Sequence, residues 1–212
     1  MTTSRRPVAP AAYLSDLDGT LLFSHLNQER AWTWFASLHG LDPRPFLDAL
    51  GRTAVEKIQR FAPHLDVETE AGRIADYETE DTDGVLALPG ARDLLTSERR
   101  VAIVTSATRP LAVARLHAAG LPVPGILVTA ESVACGKPNP AAFEMGAALL
   151  GVPVSACVVL EDAPAGVRAG RAALAGEVVG FPTTATAESL LQAGADRILP
   201  NVGAYLTAME PC

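Results

Sequence analysis

The chain has 212 residues, 49% of them hydrophobic and 19% charged, with a formal net charge of −7. At roughly 100–200 residues per domain this makes one domain or two, able to bury a full core without staples and too apolar to be disordered. No apolar run reaches the ~18 residues a membrane span needs, and no Lys/Arg block offers nucleic acid or an anionic membrane a docking surface, so neither is expected as a partner. Cys135, Cys157 and Cys212 lack zinc-site spacing and read as thiols of a reducing cytoplasm. Arg5 and Arg6 are not followed by an apolar segment, so no secretory signal is expected.

The first strand is predicted at residues 12–15, a short apolar run ending at Asp16. The next strand signal comes only at 101–105. One ordinary crossover takes ~30 residues, which leaves roughly 60 unaccounted for. Those residues read as helices. Leu26, Ala31, Trp34, Phe35 and Leu38 mark an amphipathic helix ended by Gly40; 46–50 and 54–61 follow, the latter stopped before Pro63. A helix over 67–77 runs into the acidic residues Glu78, Glu80, Asp81 and Asp83, and no strand signal interrupts the series. Gly84 and Pro89-Gly90 mark the return.

Helices at 91–98, 110–119, 141–150, 165–174 and 187–193 then alternate with strands at 126–128, 157–160, 178–181 and 197–199. This is the pattern of an α/β fold with a parallel sheet and helices on both faces. The expected division is an α/β core of residues 1–24 and 86–212 with a small helical domain, 25–85, inserted after the first strand.

The chemistry gathers at the ends of the predicted strands, where open α/β sheets bind ligands. Asp16-Leu17-Asp18-Gly19-Thr20 follows the first strand. Two carboxylates two residues apart can divide nucleophilic attack and proton transfer between them. Gly19 permits a tight turn, and the Thr20 hydroxyl is a candidate to tie the loop down. Thr105-Ser106 ends the second strand, Gly136-Lys137-Pro138 follows the third, and Glu161-Asp162 ends the fourth. Lys57 and Lys137 are the only lysines among 17 basic residues, so a position that keeps Lys is a candidate for a compact ammonium in place of a planar guanidinium.

The combination resembles the haloacid dehalogenase superfamily of phosphotransferases, whose four motifs match Asp16–Thr20, Ser106, Lys137 and Glu161-Asp162. The resemblance implies a Rossmann-like core, with the helical insert as its cap. A closer likeness is to the sugar and polyol phosphatases, including glycerol-3-phosphatases and 2-deoxyglucose-6-phosphatases. It is carried by Gly51-Arg52-Thr53, Phe61-Ala62-Pro63, Thr105-Ser106-Ala107-Thr108-Arg109, Gly136-Lys137-Pro138-Asn139-Pro140 and Glu161-Asp162-Ala163-Pro164-Ala165-Gly166. Phe23 stands where many relatives have Asp.

The resemblance implies a Mg²⁺-dependent phosphomonoesterase acting on a small phosphorylated metabolite. Asp16 would be nucleophile, Asp18 acid and base, and Lys137 the compensating cation. Gly19, Thr20, Thr105, Ser106, Ala107, Asn139 and the cap residue Arg52 would bind phosphate or substrate. Asp16, the Asp18 carbonyl and Asp162 would hold the metal, with Glu161 a weaker ligand. The charges support this without the family: four carboxylates and a phosphate dianion cannot share a site without cations, and Mg²⁺ suits an all-oxygen donor set.

Other readings compete. A phosphoglucomutase-like isomerase would use the same aspartyl phosphate, although mutases commonly have Gly-Val where Gly19-Thr20 stands. A catalytically silent binding protein has no need of Asp16, Asp18, Lys137 and Asp162 together, and dehalogenases lack the second aspartate. Lys57, flanked by Glu56, Gln59 and Arg60, is expected on an exposed helix face, and Trp32, Trp34 and Phe35 are expected to pack the cap. Both a monomer and a homodimer remain open.

Overall fold

The computed structural model describes residues 10–209. The expectation about a secretory signal falls largely on residues outside these, and so does Cys212. In chain order the elements are β1 (Ala12–Ser15), β2 (Leu22–Phe23), α1 (His25–His39), α2 (Arg44–Asp48), α3 (Ala54–Phe61), α4 (Val67–Glu80), β3 (Leu86–Ala87), α5 (Ala91–Thr96), β4 (Val101–Val104), α6 (Arg109–Ala118), β5 (Leu127–Val128), α7 (Ala141–Leu150), β6 (Cys157–Glu161), α8 (Pro164–Ala172), β7 (Glu177–Gly180), α9 (Ala187–Ala193), β8 (Arg197–Ile198) and α10 (Val202–Met209).

Six strands form one parallel sheet in the order β5-β4-β1-β6-β7-β8. Side chains alternate across β1: Tyr13 joins the apolar layer on one face, Ala12 and Leu14 the layer on the other. Both faces are covered, which is why the strands are short continuous apolar runs. This is the expected α/β, Rossmann-like architecture. Helices α1–α4 share a third apolar cluster, built on Trp32, Phe35, Phe46, Ile58 and Ile74. Trp32 stacks on Phe46 with centroids 5.1 Å apart, and Trp34 stacks on Tyr77 at 4.9 Å, so the aromatic residues pack these helices as expected.

Two features escaped the sequence reading. A two-stranded antiparallel ribbon, Leu22–Phe23 against Leu86–Ala87, brackets the inserted helices; two residues per strand are too few to give an alternating pattern. The C-terminal helix α10 also went unpredicted. It buries Val202, Tyr205 and Leu206 in the core, with the Tyr205 ring edge-on to Tyr13. No described helix is long and apolar enough to cross a membrane.

Candidate active site

Because β1 lies between β4 and β6, the residues that follow these three strands converge at one end of the sheet. Asp16 and Asp18 follow β1, Thr105, Ser106 and Ala107 follow β4, and Glu161 and Asp162 end β6. Lys137 arrives from the loop before α7. Its ammonium donates to Asp16 Oδ1 at 2.5 Å, to Glu161 Oε1 at 2.6 Å and to the Val104 carbonyl at 3.0 Å. All three of its protons are thereby engaged, against partners that a planar guanidinium would meet in a different geometry.

Asp16, Glu161 and Asp162 are buried and offer oxygens within 4.8 Å of one another. Burial pushes Asp16 upward, and the Coulombic pull of Lys137 is opposed by Glu161 and Asp18. Asp162 is raised well above the ordinary carboxylate value by burial, then by Asp16 and Glu161. Burial alone would lower Lys137, but Asp16 and Glu161 together raise it. The cluster is short of positive charge, and its donors are all oxygen. That donor set fits a hard divalent cation.

Gly19 supplies a second sign of close construction. Its φ is +88°, and a Cβ there would fall 2.0 Å from Asp162 Oδ2. A side chain at residue 19 would thus displace the Asp162 carboxylate, which the Thr184 hydroxyl also holds. At Gly166 a Cβ would fall 1.6 Å from Glu161 Oε1.

Asp18 is gripped from another side. Its Oδ1 accepts from the Ser24 hydroxyl at 2.6 Å and from Arg115 Nη1 at 2.9 Å. Arg115, on α6, also donates through Nη2 to Asn27 Oδ1 on α1 and to Glu78 Oε1 on α4. A buried guanidinium therefore links the second aspartate to two inserted helices. Burial raises Glu78, with Arg115 opposing. The acidic stretch after residue 77 is accordingly not all solvated: α4 runs on to Glu80 and turns Glu78 inward.

Asp16, Asp18, Gly19 and Asp162 line a cavity of about 690 Å³, together with Thr105, Ser106 and Ala107. The inserted helices and their loops supply the facing wall, including Trp32, Arg52 and Lys57. Two hydrogen bonds tie that wall to the core: the Ser106 hydroxyl donates to the Gly51 carbonyl at 2.8 Å, and Gly136 N–H donates to Glu56 Oε1 at 3.2 Å. A Thr53–Glu56 capping box starts α3 at this clamp.

Several expected roles need correction. The Thr20 hydroxyl is buried and has no hydrogen-bond partner among the described residues, and Thr20 does not line the cavity; N–H groups of Thr20, Leu21 and Leu22 hold the turn through the Leu17 carbonyl instead. Asn139 is exposed and accepts from Ala141 N–H, so it orders the start of α7 and stands away from the cavity. Glu161 is off the cavity too. Its Oε1 takes Lys137, and its Oε2 takes the N–H groups of Asp162 and Ala163, which makes it an anchor for the loop. Ser106 spends its proton on Gly51 in this arrangement. Thr105 Oγ1 accepts from Ala107 N–H.

Lys57 is the largest departure. It is buried, 5% exposed, with Nζ 4.9 Å from the Trp32 ring centroid, because the inward face of α3 includes it beside Ile58. Arg115, Glu78, Ser24 and Thr184 were missed altogether. Phe23, on the ribbon, lines the cavity, as does the exposed Cys135; Cys157 is buried.

The haloacid dehalogenase-like hydrolase family model matches residues 10–173. Hexitol phosphatase A of Escherichia coli (strain K12) is 45% identical over 169 residues, covering 76% of this chain and 78% of that protein. 2-Deoxyglucose-6-phosphate phosphatase 1 of Saccharomyces cerevisiae (strain ATCC 204508 / S288c) is 32% identical, covering 88% and 85%. The crystal structure of a hydrolase from Pseudomonas syringae superposes with a TM-score of 0.84 at 26% identity, over 93% of this chain and 97% of that one. By the family match and these relatives, carried on the carboxylate and lysine cluster at the sheet's end, the chain belongs to the haloacid dehalogenase-like hydrolases and is a phosphatase among them.

Proposed function

We propose that the protein hydrolyses small sugar or polyol phosphates in two steps through a phosphorylated Asp16. The observation that carries this reading is that Asp16 and Asp18, two residues apart, face one cavity whose other wall is built by α1, α3, α4 and the loop before α3. Residues 25–85 act as a cap over the described part of the core expected at residues 1–24 and 86–212. The relatives named for hexitol and deoxyglucose phosphates support the substrate class.

An Asp16 carboxylate oxygen attacks phosphorus, and the ester P–O bond breaks as the new one forms. Asp18 gives its proton to the departing alkoxide, which leaves as the alcohol. Asp18 then takes a proton from water as that water attacks the aspartyl phosphate, releasing inorganic phosphate and restoring Asp16. Lys137 holds Asp16 in place and offsets charge beside it. Asp16, Asp162 and the Asp18 carbonyl would hold Mg²⁺, which when bound supplies charge neutralisation for the phosphate dianion. Glu161 serves by fixing Lys137 and the loop carrying Asp162.

Phosphate release from a panel of phosphomonoesters, with Mg²⁺ and with chelator, tests the reading. Asp16→Asn and chelation are each expected to abolish turnover, with Mg²⁺ restoring the chelated enzyme. Near wild-type activity in Asp16→Asn would overturn the mechanism, and full activity without metal would overturn the cofactor.

A further inference from the structure

Lys57 is a buried cation with no acidic or hydrogen-bonding partner among the described residues. It sits on the first turns of α3 and lines the cavity, and among the described residues it makes no hydrogen bond and no ion pair within 4.0 Å. The acid that acts on it is Glu78 of α4, whose Oε1 is already taken by Arg115 of α6. Its one close partner is the face of Trp32, on α1. Burial lowers its pKa to about 8, so the fold bears a cost in keeping an ammonium here. A Met of similar length would fill the same space against Trp32 with no charge to bury.

The position is also fixed. Glu56, the preceding residue, accepts from Gly136 N–H next to Lys137, and Gly51 accepts from Ser106. These two clamps hold the start of α3 against the core and keep Lys57 on the cavity wall facing the strand ends. An ammonium offers three donors and no acceptor. The complement it lacks is a set of oxygens, which no described residue supplies within hydrogen-bond distance.

We infer that Lys57 selects substrates by donating hydrogen bonds to hydroxyl oxygens of the leaving alcohol, on the side away from the phosphoryl group. This deepens the phosphatase reading above and rests on it. Arg52 reaches the cavity from the loop before α3 and has no ion-pair partner of its own among the described residues, whereas Lys57 is buried deeper, against Trp32. A substrate whose alcohol carries several hydroxyls satisfies the ammonium. An aryl ester leaves it bare.

The test compares wild type, Lys57→Met and Lys57→Arg on sorbitol 6-phosphate and on phenyl phosphate. Lys57→Met is expected to lower kcat/KM on sorbitol 6-phosphate at least tenfold and to leave phenyl phosphate within twofold or improve it. Lys57→Arg keeps donors at the site and is expected to fall between. Equal losses on both esters would make Lys57 a packing residue and overturn the assignment, as would an unchanged preference in Lys57→Met. A wild-type enzyme that hydrolyses neither ester, nor any other phosphomonoester, would instead refute the phosphatase reading on which the assignment stands.

Discussion

Lys57→Met has a second consequence, in stability, that can be worked out from the structure. Burial takes the Lys57 pKa from 10.5 to about 8. Between these values the unfolded chain carries a proton that the folded protein has lost, so stability rises with pH across that window, and below it the penalty is present in full. At about 1.4 kcal/mol per pKa unit, the penalty is about 3 kcal/mol at pH 7, about 2 at pH 9 and about 1 at pH 10. The contact with Trp32 returns ~0.5–2 kcal/mol of this. Glu78 from α4 and Arg115 from α6 act on Lys57 with opposite signs and stay in place in the variant. Lys57→Met should therefore be more stable than wild type by about 1–2.5 kcal/mol at pH 7, a net of the penalty and the lost aromatic contact. That advantage should shrink as pH rises towards 10. Urea unfolding of both proteins at pH 7, 8, 9 and 10 gives the difference directly, and other alkaline titrations cancel within each pair. A variant less stable than wild type at pH 7, or an advantage independent of pH, would refute the reasoning.

Lys137→Arg should lower kcat/KM at least tenfold, about 1.4 kcal/mol, because three partners within 3.0 Å surround a point charge; steady-state kinetics within twofold of wild type would contradict this. Arg115→Met leaves the carboxylates of Asp18 and Glu78 without their shared cation, and urea unfolding should show a loss of about 3–5 kcal/mol. A loss below about 1 kcal/mol would mean the bridge is not structural. Arg52→Ala should reduce kcat/KM on the best polyol phosphate more than on phenyl phosphate, and equal losses in the same assay would remove Arg52 from substrate selection.

Asp16, Asp18, Ser106 and Asp162 stood out in the sequence because each closely follows an apolar run that ends abruptly in polar residues, and Lys137 because the chain keeps only two lysines among 17 basic residues. Once the strands are taken as parallel, those ends must lie together. The Arg115 bridge was not legible. Its partners Asp18, Asn27 and Glu78 lie 97, 88 and 37 positions away, and within α6 the residue reads as one more surface arginine. Lys57 was misread for a related reason. Polar neighbours at residues 56, 59 and 60 suggest a solvated face, and helical periodicity does not distinguish a face turned to bulk water from one turned to a cavity. The Thr20 error came from assigning a hydroxyl to a turn that backbone N–H groups already close.

The placement of β1 bears on how the molecule comes apart. This strand is hydrogen-bonded to β4 on one edge and β6 on the other, and both of its faces are packed. Its amides can exchange with solvent only when the sheet itself opens, at close to the free energy of global unfolding. Helices α1–α4 hold a smaller apolar cluster of their own and leave the sheet through a ribbon of two residues per strand. They can open as a separate cooperative unit, at lower cost, while β1 stays protected. Native-state hydrogen exchange should then resolve two classes of amide. Mild denaturant would melt the helical wall of the cavity before disturbing the strand that carries Asp16, so on the proposed reading selectivity would fail earlier than the scaffold of the proposed nucleophile.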